Sequence, residues 1–331
     1  MSDEAAFYCN IALMQACNEL FLGGGEDSPT AMYHLSNGLK YVRERLESED
    51  ALADSTMGLV ISLITQEQVR SQHKAARVHM DGLVRMIEMR GGLESLETSL
   101  PLVLKTCKTD IMFTLEHEGP PRFFRNNMLN IKKQFKDLGV PFDFRKSRGL
   151  VQHAGLSPAL LEILMDVISV STLFNDLTST SKIDLFQYQE IIISILYRIF
   201  AIPFHRGTSL PPTIGDAYHV GLTLFIMTLF LQHGRKRMLQ YHNIVRRLRN
   251  VLDSKVLDQE HELKFWLSMV GGVWVSQDDG AEWLPPLVRS EAKKMRLTGW
   301  EDAKSVLKRY PWIHPLHDEA GVQVWEKAIH G

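Results

Sequence analysis

The sequence predicts an all-α fold, and the prediction rests on three observations. Apolar residues recur every three or four positions through most of the 331 residues, as on the buried side of an α-helix. Runs that alternate apolar and polar residues between turn pairs, the pattern typical of strands, are not evident. Glycine and proline pairs such as Gly91-Gly92 and Pro120-Pro121 separate the periodic segments without a long linker. We therefore expect one large domain, residues 1–331, of stacked antiparallel helical hairpins.

The periodic segments define the expected helices. In one of them, Ile192, Ile195 and Ile199 fall on the same side of a helix. Between residues 120 and 155 glycine, proline and basic residues interrupt the period, and we expect a waist in the domain there. In chain order, the expected helices are 4–22, 30–47, 55–71, 73–90, 99–117, 157–177, 184–201, 214–233, 237–253, 259–275, 285–297, 300–309 and 317–329.

The expected helix 73–90 has the most informative end. Met80, Leu83 and Ile87, with Val84 beside them, form one apolar stripe. A cation suits the C-terminal end of a helix dipole, and a basic residue at position 90 supplies it. Gly91 follows and can adopt the left-handed conformation that ends a helix. This segment is therefore predicted to be a partly buried helix with a defined stop.

Charged residues add two local predictions around this helix. Asp81 precedes Arg85 by four residues, a spacing that favours an ion pair on the exposed side. Upstream, Asp54-Ser55 precedes an apolar stripe, so we expect this pair to cap the N-terminus of the helix 55–71.

Three segments carry recognisable motifs. One helix ends H-x-x-G-L-x-x-x-x-x-x-R-G-G-L, the next ends D-x-x-x…G-P-P-R-F with Asp110 as its aspartate, and the C-terminal segment contains W-I-H-P-L-H-D-E-A-G. Read together, these segments resemble the fungal-specific transcription factor domain, including the family's usual last segment. The resemblance implies an all-helical regulatory region with roles in effector response, dimer or coregulator contact, and restraint of an activation function. The motif residues, which we expect to be structural, are His79, Gly82, Leu83, Arg90, Gly91, Gly92, Leu93, Asp110, Pro121, Arg122, Trp312, His317, Asp318, Glu319 and Trp325.

The cysteines depart from the family's full pattern. The family's DNA-binding zinc cluster needs six thiolates in two close groups, since each zinc takes four sulfur ligands and two are shared. This sequence has only Cys9, Cys17 and Cys107. We therefore expect no zinc cluster and no direct contact with nucleic acid. Two alternatives stay open: a fragment of a longer zinc-cluster factor, or a stand-alone relative that has lost the cluster.

Composition supports a soluble protein inside the cell. A net charge of -2 gives no electrostatic footprint for nucleic acid, and the acidic N-terminus does not resemble a secretory signal. The apolar run 220–231 is too short to span a bilayer, and three cysteines without paired spacing favour a reducing compartment. We expect a nuclear protein, or a cytoplasmic one if no import signal is supplied. A protein partner or self-association is expected, a small-molecule effector stays open, and no cofactor or membrane is expected.

Two basic stretches of the sequence are candidate functional sites. Arg235-Lys236-Arg237, with Arg246, Arg247 and Arg249 further on, could be an import signal, but we interpret them as solvated residues near helix ends. The stretch 122–148 mixes Arg, Lys and Phe, as nucleic-acid channels do. Its irregular spacing beside prolines better suits a loop packed on the core.

An enzyme and a scaffold are the competing hypotheses. Asp278-Asp279 and Asn175-Asp176 resemble the two magnesium motifs of a class I terpene synthase, which would act on a prenyl diphosphate. However, their order is reversed, and Ile183 stands where the second motif needs an acid. A helical scaffold built on a repeat of roughly 34 or 40 residues is disfavoured because no such self-similarity is found. We therefore predict that the protein is not an enzyme.

Two histidines near the C-terminus are the remaining candidate metal ligands. His314 and His317 are three residues apart, with Pro315 between them. We expect the proline to place them across a turn, and Asp318 and Glu319 to open the last helix. No metal site is predicted.

Overall fold

A computed structural model describes residues 4–22, 29–117, 119–137, 156–176, 183–202, 211–230, 241–275 and 281–331. These residues form fourteen α-helices, and within them no strand occurs. The all-α prediction is therefore confirmed. In chain order the helices are α1 (Glu4–Leu22), α2 (Pro29–Leu46), α3 (Asp54–Val69), α4 (His73–Arg90), α5 (Leu100–His117), α6 (Met128–Asp137), α7 (Pro158–Asp176), α8 (Leu185–Ala201), α9 (Ile214–Phe230), α10 (His242–Leu252), α11 (His261–Val275), α12 (Leu284–Lys294), α13 (Trp300–Leu307) and α14 (His314–His330).

The described residues divide into two compact units. The first ends at Phe124 and the second begins at Arg125. The division falls within the stretch 120–155 where the sequence predicts a waist. That residues 1–331 act as a single domain stays a prediction.

Helix α3 is the centre of the first unit and contacts α1, α2, α4 and α5. Met57 and Ile64 have no exposed surface, and Leu59, Val60 and Leu63 are also buried. Because α3 is apolar on nearly all sides, it has to be covered by other helices. Helices α4 and α1 provide most of that cover.

Helices α9 and α11 form the centre of the second unit. Helix α9 contacts α7, α8, α10 and α11, and α11 also contacts α12, α13 and α14. Glycines let these helices approach closely, because a Cβ on Gly221 would lie 2.5 Å from the ring of Trp266. A Cβ on Gly272 of α11 would likewise lie 2.6 Å from Val324 of α14. Small residues at these crossings therefore fix the spacing of the core helices.

Three predictions about the helices and their ends are wrong. The sequence predicts a loop in the stretch 122–148, but α6 forms there, with Met128, Ile131 and Phe135 buried at helical spacing. The apolar stripe of α6 is short and lies among basic residues, so it is not evident in the sequence. The last helix begins at His314, not at 317 as predicted. Pro315 is tolerated in the first turn because the N–H that it lacks would have no partner there. Asp54 lies in the first turn of α3, and the cap is Ala53, without a side-chain hydrogen bond.

Helix α7 is long and apolar enough to cross a membrane by length and composition. The sequence predicts no membrane span on the basis of the shorter apolar run 220–231. However, 67% of the apolar stretch of α7 is buried, and Asp166 on this helix forms ion pairs with Arg198 and Lys132. This burial and pairing are typical of a core helix in a folded unit.

Candidate functional site

The predicted stop of α4 has the geometry of a Schellman motif. Gly91 adopts a left-handed φ of 109° and Gly92 a φ of 93°. The N–H of Gly92 donates to the carbonyl of Ile87 at 2.8 Å, and that of Gly91 donates to Glu88 at 3.0 Å. These two bonds satisfy carbonyls that a helix end leaves without intrahelical partners. The predicted role of Gly91 is confirmed.

Arg90 ties this helix end to the start of α3. Its guanidinium forms a short ion pair with the carboxylate of Asp54 and lies 3.3 Å from the carbonyl of Leu52. Asp54 therefore acts as a partner for Arg90 from the first turn of α3, where a carboxylate also suits the helix dipole. Arg90 at the end of α4 therefore has a specific partner in addition to its favourable interaction with the helix dipole.

The aspartate of the second motif fixes the chain after α5. Asp110 has no exposed surface. Its carboxylate accepts hydrogen bonds from the backbone N–H of Arg122 at 2.9 and 3.1 Å and from that of Phe123 at 3.0 Å. A buried carboxylate that accepts several N–H groups is strongly held. Asp110 therefore positions the G-P-P-R-F turn.

Arg122 connects the two motifs. Its side chain donates to Asp81 of α4, with Nη2 and Oδ1 2.9 Å apart. The predicted partner of Asp81 was Arg85, so that prediction is wrong. Sequence spacing favours the local pair, whereas the turn held by Asp110 brings the guanidinium of Arg122 to this carboxylate in place of that of Arg85.

The other residues of these motifs differ in their surroundings. Leu83 is fully buried in the apolar stripe, and Leu93 and Pro121 are half-buried. His79 is also half-buried, and burial lowers its pKa below the ordinary value for histidine. Gly82 is exposed, and a Cβ added there would meet nothing within 4 Å. Packing therefore explains Leu83 and gives no reason for glycine at 82.

The C-terminal motif is a separate hydrogen-bonded cluster around Asp318. The carboxylate accepts from Nε1 of buried Trp312 at 2.8 Å and lies 2.8 Å from Nζ of Lys304 and 3.0 Å from Nδ1 of His314. Burial acts to raise the pKa of Asp318, but the hydrogen bonds from Lys304, Trp312 and His314 outweigh it, so this pKa lies below its usual range. The prediction that Asp318 lies in the first helical turn is wrong.

His317 is buried and makes two hydrogen bonds. Its Nδ1 accepts from the N–H of Ile313 at 3.1 Å, so the proton of the neutral ring is on Nε2, which lies 2.8 Å from the hydroxyl of Thr228. Burial lowers the pKa of His317 to about 4. His317 and His314 share the first turns of α14, against the prediction that Pro315 separates them across a turn. Each has a protein partner, which favours a structural role.

The remaining C-terminal residues also have structural surroundings. Trp325 is buried and its ring meets Phe265 edge-on at 6.3 Å, whereas Glu319 is exposed. Asn175, from the segment that resembles a magnesium motif, donates to the carbonyl of Trp312 at 2.8 Å and accepts from the N–H of His314 at 2.7 Å. Its amide is therefore engaged in holding the backbone before α14. Asp278 and Asp279 lie outside the described residues.

Several basic residues of the two stretches are engaged by carboxylates or aromatic rings. Arg125 forms a fork with Glu190, and Lys132 lies 2.7 Å from Asp166. In the other stretch, Arg249 lies over the ring of Trp283 at 5.6 Å. The sequence 235–237 and the part of the first stretch from 138 to 148 lie outside the described residues.

One group of side chains has no counterpart among the residues that the sequence predicts as a site. His73 at the start of α4 meets Glu116 and His117 at the end of α5, and the three potential ligand atoms lie within 4.8 Å of one another. The sequence does not indicate that His73 approaches this pair, since it lies more than forty residues before Glu116. An E-H pair at the end of one helix was the only available signal, and it has no meaning without the tertiary contact.

Most of the chain matches a known protein family. The profile of the fungal specific transcription factor domain matches residues 1–271, which include both motifs of the first unit. The C-terminal cluster lies beyond this match, so its resemblance to the family stays a prediction. Neither a curated protein nor a solved structure matches the chain significantly. Since the match covers most of the 331 residues, the chain belongs to the family of the fungal specific transcription factor domain.

Proposed function

We propose that this chain regulates transcription by contacting another protein and does not itself bind DNA. The match to a transcription factor family over residues 1–271 is the observation that carries this proposal. The motifs that support the resemblance lie at helix ends and turns, where their contacts stabilise the fold. The regulatory surface should therefore lie elsewhere on the protein.

The first helical hairpin supports a role in partner binding. Exposed large apolar side chains gather on α1 and α2: Phe7, Met14, Met32, Tyr33, Leu39 and Leu46. The ring of Tyr8 links the two helices through contacts with Tyr33 at 6.4 Å and Tyr41 at 5.6 Å. Several exposed apolar groups on one helical hairpin favour binding of an apolar protein surface. We therefore assign the partner-binding role to this hairpin.

Charge supports the absence of DNA binding. The net charge is -2, and proteins that bind nucleic acid use an excess of basic residues to neutralise phosphates. Arg122, Arg125 and Lys132 each pair with a carboxylate. These cations would have to give up protein partners before they could contact phosphate. A nuclear location follows from the proposed role, and a small-molecule effector stays an open addition to it.

A tethering experiment tests the proposal. The chain fused to an unrelated DNA-binding domain should change transcription of a reporter that carries the matching site. Tyr33→Asp, at a position 59% exposed, should abolish most of this change. Leu129→Asp on α6, at a position 82% exposed, is the matched control and should retain it. Circular dichroism should show that both variants are folded.

Two outcomes would contradict the proposal. A fusion without any effect on the reporter would argue against a regulatory role. Retarded migration of random duplex DNA by the unfused chain, with an affinity that falls steeply with salt, would instead show direct nucleic-acid binding. Equal activity of Tyr33→Asp and Leu129→Asp would leave the regulatory role intact and remove the assignment of the partner surface to α1–α2.

A further inference from the structure

We propose that His73, Glu116 and His117 form a binding site for a divalent transition metal of the zinc class. The site joins the N-terminus of α4 to the C-terminus of α5 within the first unit. Imidazole and carboxylate groups are ligands that zinc takes, and three protein ligands leave one position for water or another ligand. The proposal rests on three observations about these side chains.

The carboxylate is held in place from a third helix. Nε2 of Gln68 on α3 donates to Oε2 of Glu116 at 2.6 Å. The other oxygen, Oε1, lies 2.7 Å from Nδ1 of His73. Gln68 is 2% exposed, and its side chain therefore fixes the orientation of Glu116 from inside the protein. Metal ligands are commonly oriented in this way by a second residue.

His117 has the protonation pattern of a metal ligand. Its Nδ1 lies 3.1 Å from the carbonyl oxygen of Phe113, which can only accept, so Nδ1 carries the proton. The lone pair is then on Nε2, which is buried and has no hydrogen-bond partner among the residues that the structure describes. A ring that donates from one nitrogen to a backbone carbonyl and offers the other nitrogen is typical of histidines that bind metals.

The ring of His117 is also fixed, whereas that of His73 can move. Phe113 stacks on His117 with the ring centroids 4.0 Å apart and an interplanar angle of 16°. The side chain of His73 is 57% exposed. Because the ring of His73 is exposed, it can move to admit an ion and then complete the site. Atoms that each bond one zinc ion at about 2.0–2.1 Å have to lie closer to one another than 4.8 Å. The three potential ligand atoms lie within 4.8 Å of one another, and a movement of His73 can bring them closer.

Zinc titration of the whole chain tests the site. The metal-free protein should bind one Zn²⁺ in competition with a chromophoric chelator, with a higher melting temperature in the bound state. His73→Ala and His117→Ala should each weaken binding by at least tenfold. Gln68→Ala should weaken it by about tenfold to a hundredfold through the loss of orientation of Glu116. His242→Ala, which removes an exposed histidine at the start of α10, should bind zinc as the wild type does.

A second measurement separates this site from the cysteines. Cobalt bound by nitrogen and oxygen ligands should show no thiolate charge-transfer band, whereas cobalt bound by Cys9, Cys17 or Cys107 would show one. Wild-type affinity in both His73→Ala and His117→Ala, or a thiolate band in the wild type, would overturn the proposal. If His117→Ala is unfolded by circular dichroism, His117→Gln replaces it and should show the same loss of affinity. Failure to bind zinc in the wild type would also overturn the proposal.

Discussion

The buried carboxylate of Asp110 accepts backbone hydrogen bonds from Arg122 at 2.9 and 3.1 Å. This contact explains why an aspartate and a G-P-P-R-F turn occur together in this sequence. The carboxylate holds the backbone of the turn, and the turn places the side chain of Arg122 against Asp81. The residues of the motif therefore form one connected structure between α4, α5 and the turn.

Asp110→Ala should lower the free energy of unfolding by about 3 kcal/mol, because it leaves N–H groups of the turn without their charged acceptor. Urea denaturation followed by circular dichroism measures this change. Glu88→Ala is the control, since it also removes one negative charge, from an exposed position on α4. A loss below about 1 kcal/mol for Asp110→Ala would mean that the turn holds without this carboxylate.

Gly82→Ala should raise the free energy of unfolding by about 0.5–1 kcal/mol, since alanine favours a helix and a Cβ at 82 meets nothing within 4 Å. Gly321→Ala should lower it by about 1–3 kcal/mol, because its Cβ would lie 2.7 Å from the ring of Trp300. Thermal denaturation of both variants checks the two directions. If Gly82→Ala is more stable but inactive in the tethered reporter, glycine at 82 is needed for a contact with another molecule.

Arg296→Gly should raise the free energy of unfolding by about 0.5–1 kcal/mol. Arg296 has a φ of 57° after α12, where the N–H of Leu297 donates to the carbonyl of Ala292 at 2.9 Å. This is the same type of helix end as at Gly91, but with a side chain in the left-handed region. Arg296→Ala keeps that conformational cost and should give no gain. Equal melting temperatures for the glycine and alanine variants would contradict the explanation.

Helix positions were the part of the fold that the sequence could predict. Burial of stripes such as Met80, Leu83 and Ile87 follows from local periodicity, so the helices could be placed without a structure. The Gly91 stop was predictable for a similar reason, since a left-handed residue needs only its own backbone preference. Helix α6 was missed because its stripe of three residues is too short to stand out from its charged neighbours.

Tertiary partners were the part that could not be predicted. Arg90 with Asp54, and Arg122 with Asp81, pair across distances in the chain that no helical spacing indicates. The same limit applies to the candidate metal site, where His73 lies more than forty residues from Glu116. Periodicity reports which side of a helix is buried, and it does not report which helix covers it.

Stability should fall between pH 6.5 and pH 4 because of His317. The pKa of this buried ring is about 4 in the folded protein, compared with 6.5 for an unperturbed histidine. A lowered folded pKa means that the stabilisation is complete above pH 6.5 and is lost as the pH falls towards 4. The total loss from this one group is about 3 kcal/mol. Urea denaturation at several pH values should show this fall in the free energy of unfolding. In His317→Gln the slope against pH should be smaller, by the equivalent of about one bound proton. An unchanged slope in His317→Gln, with His330→Gln as the exposed control, would assign the pH dependence to other groups.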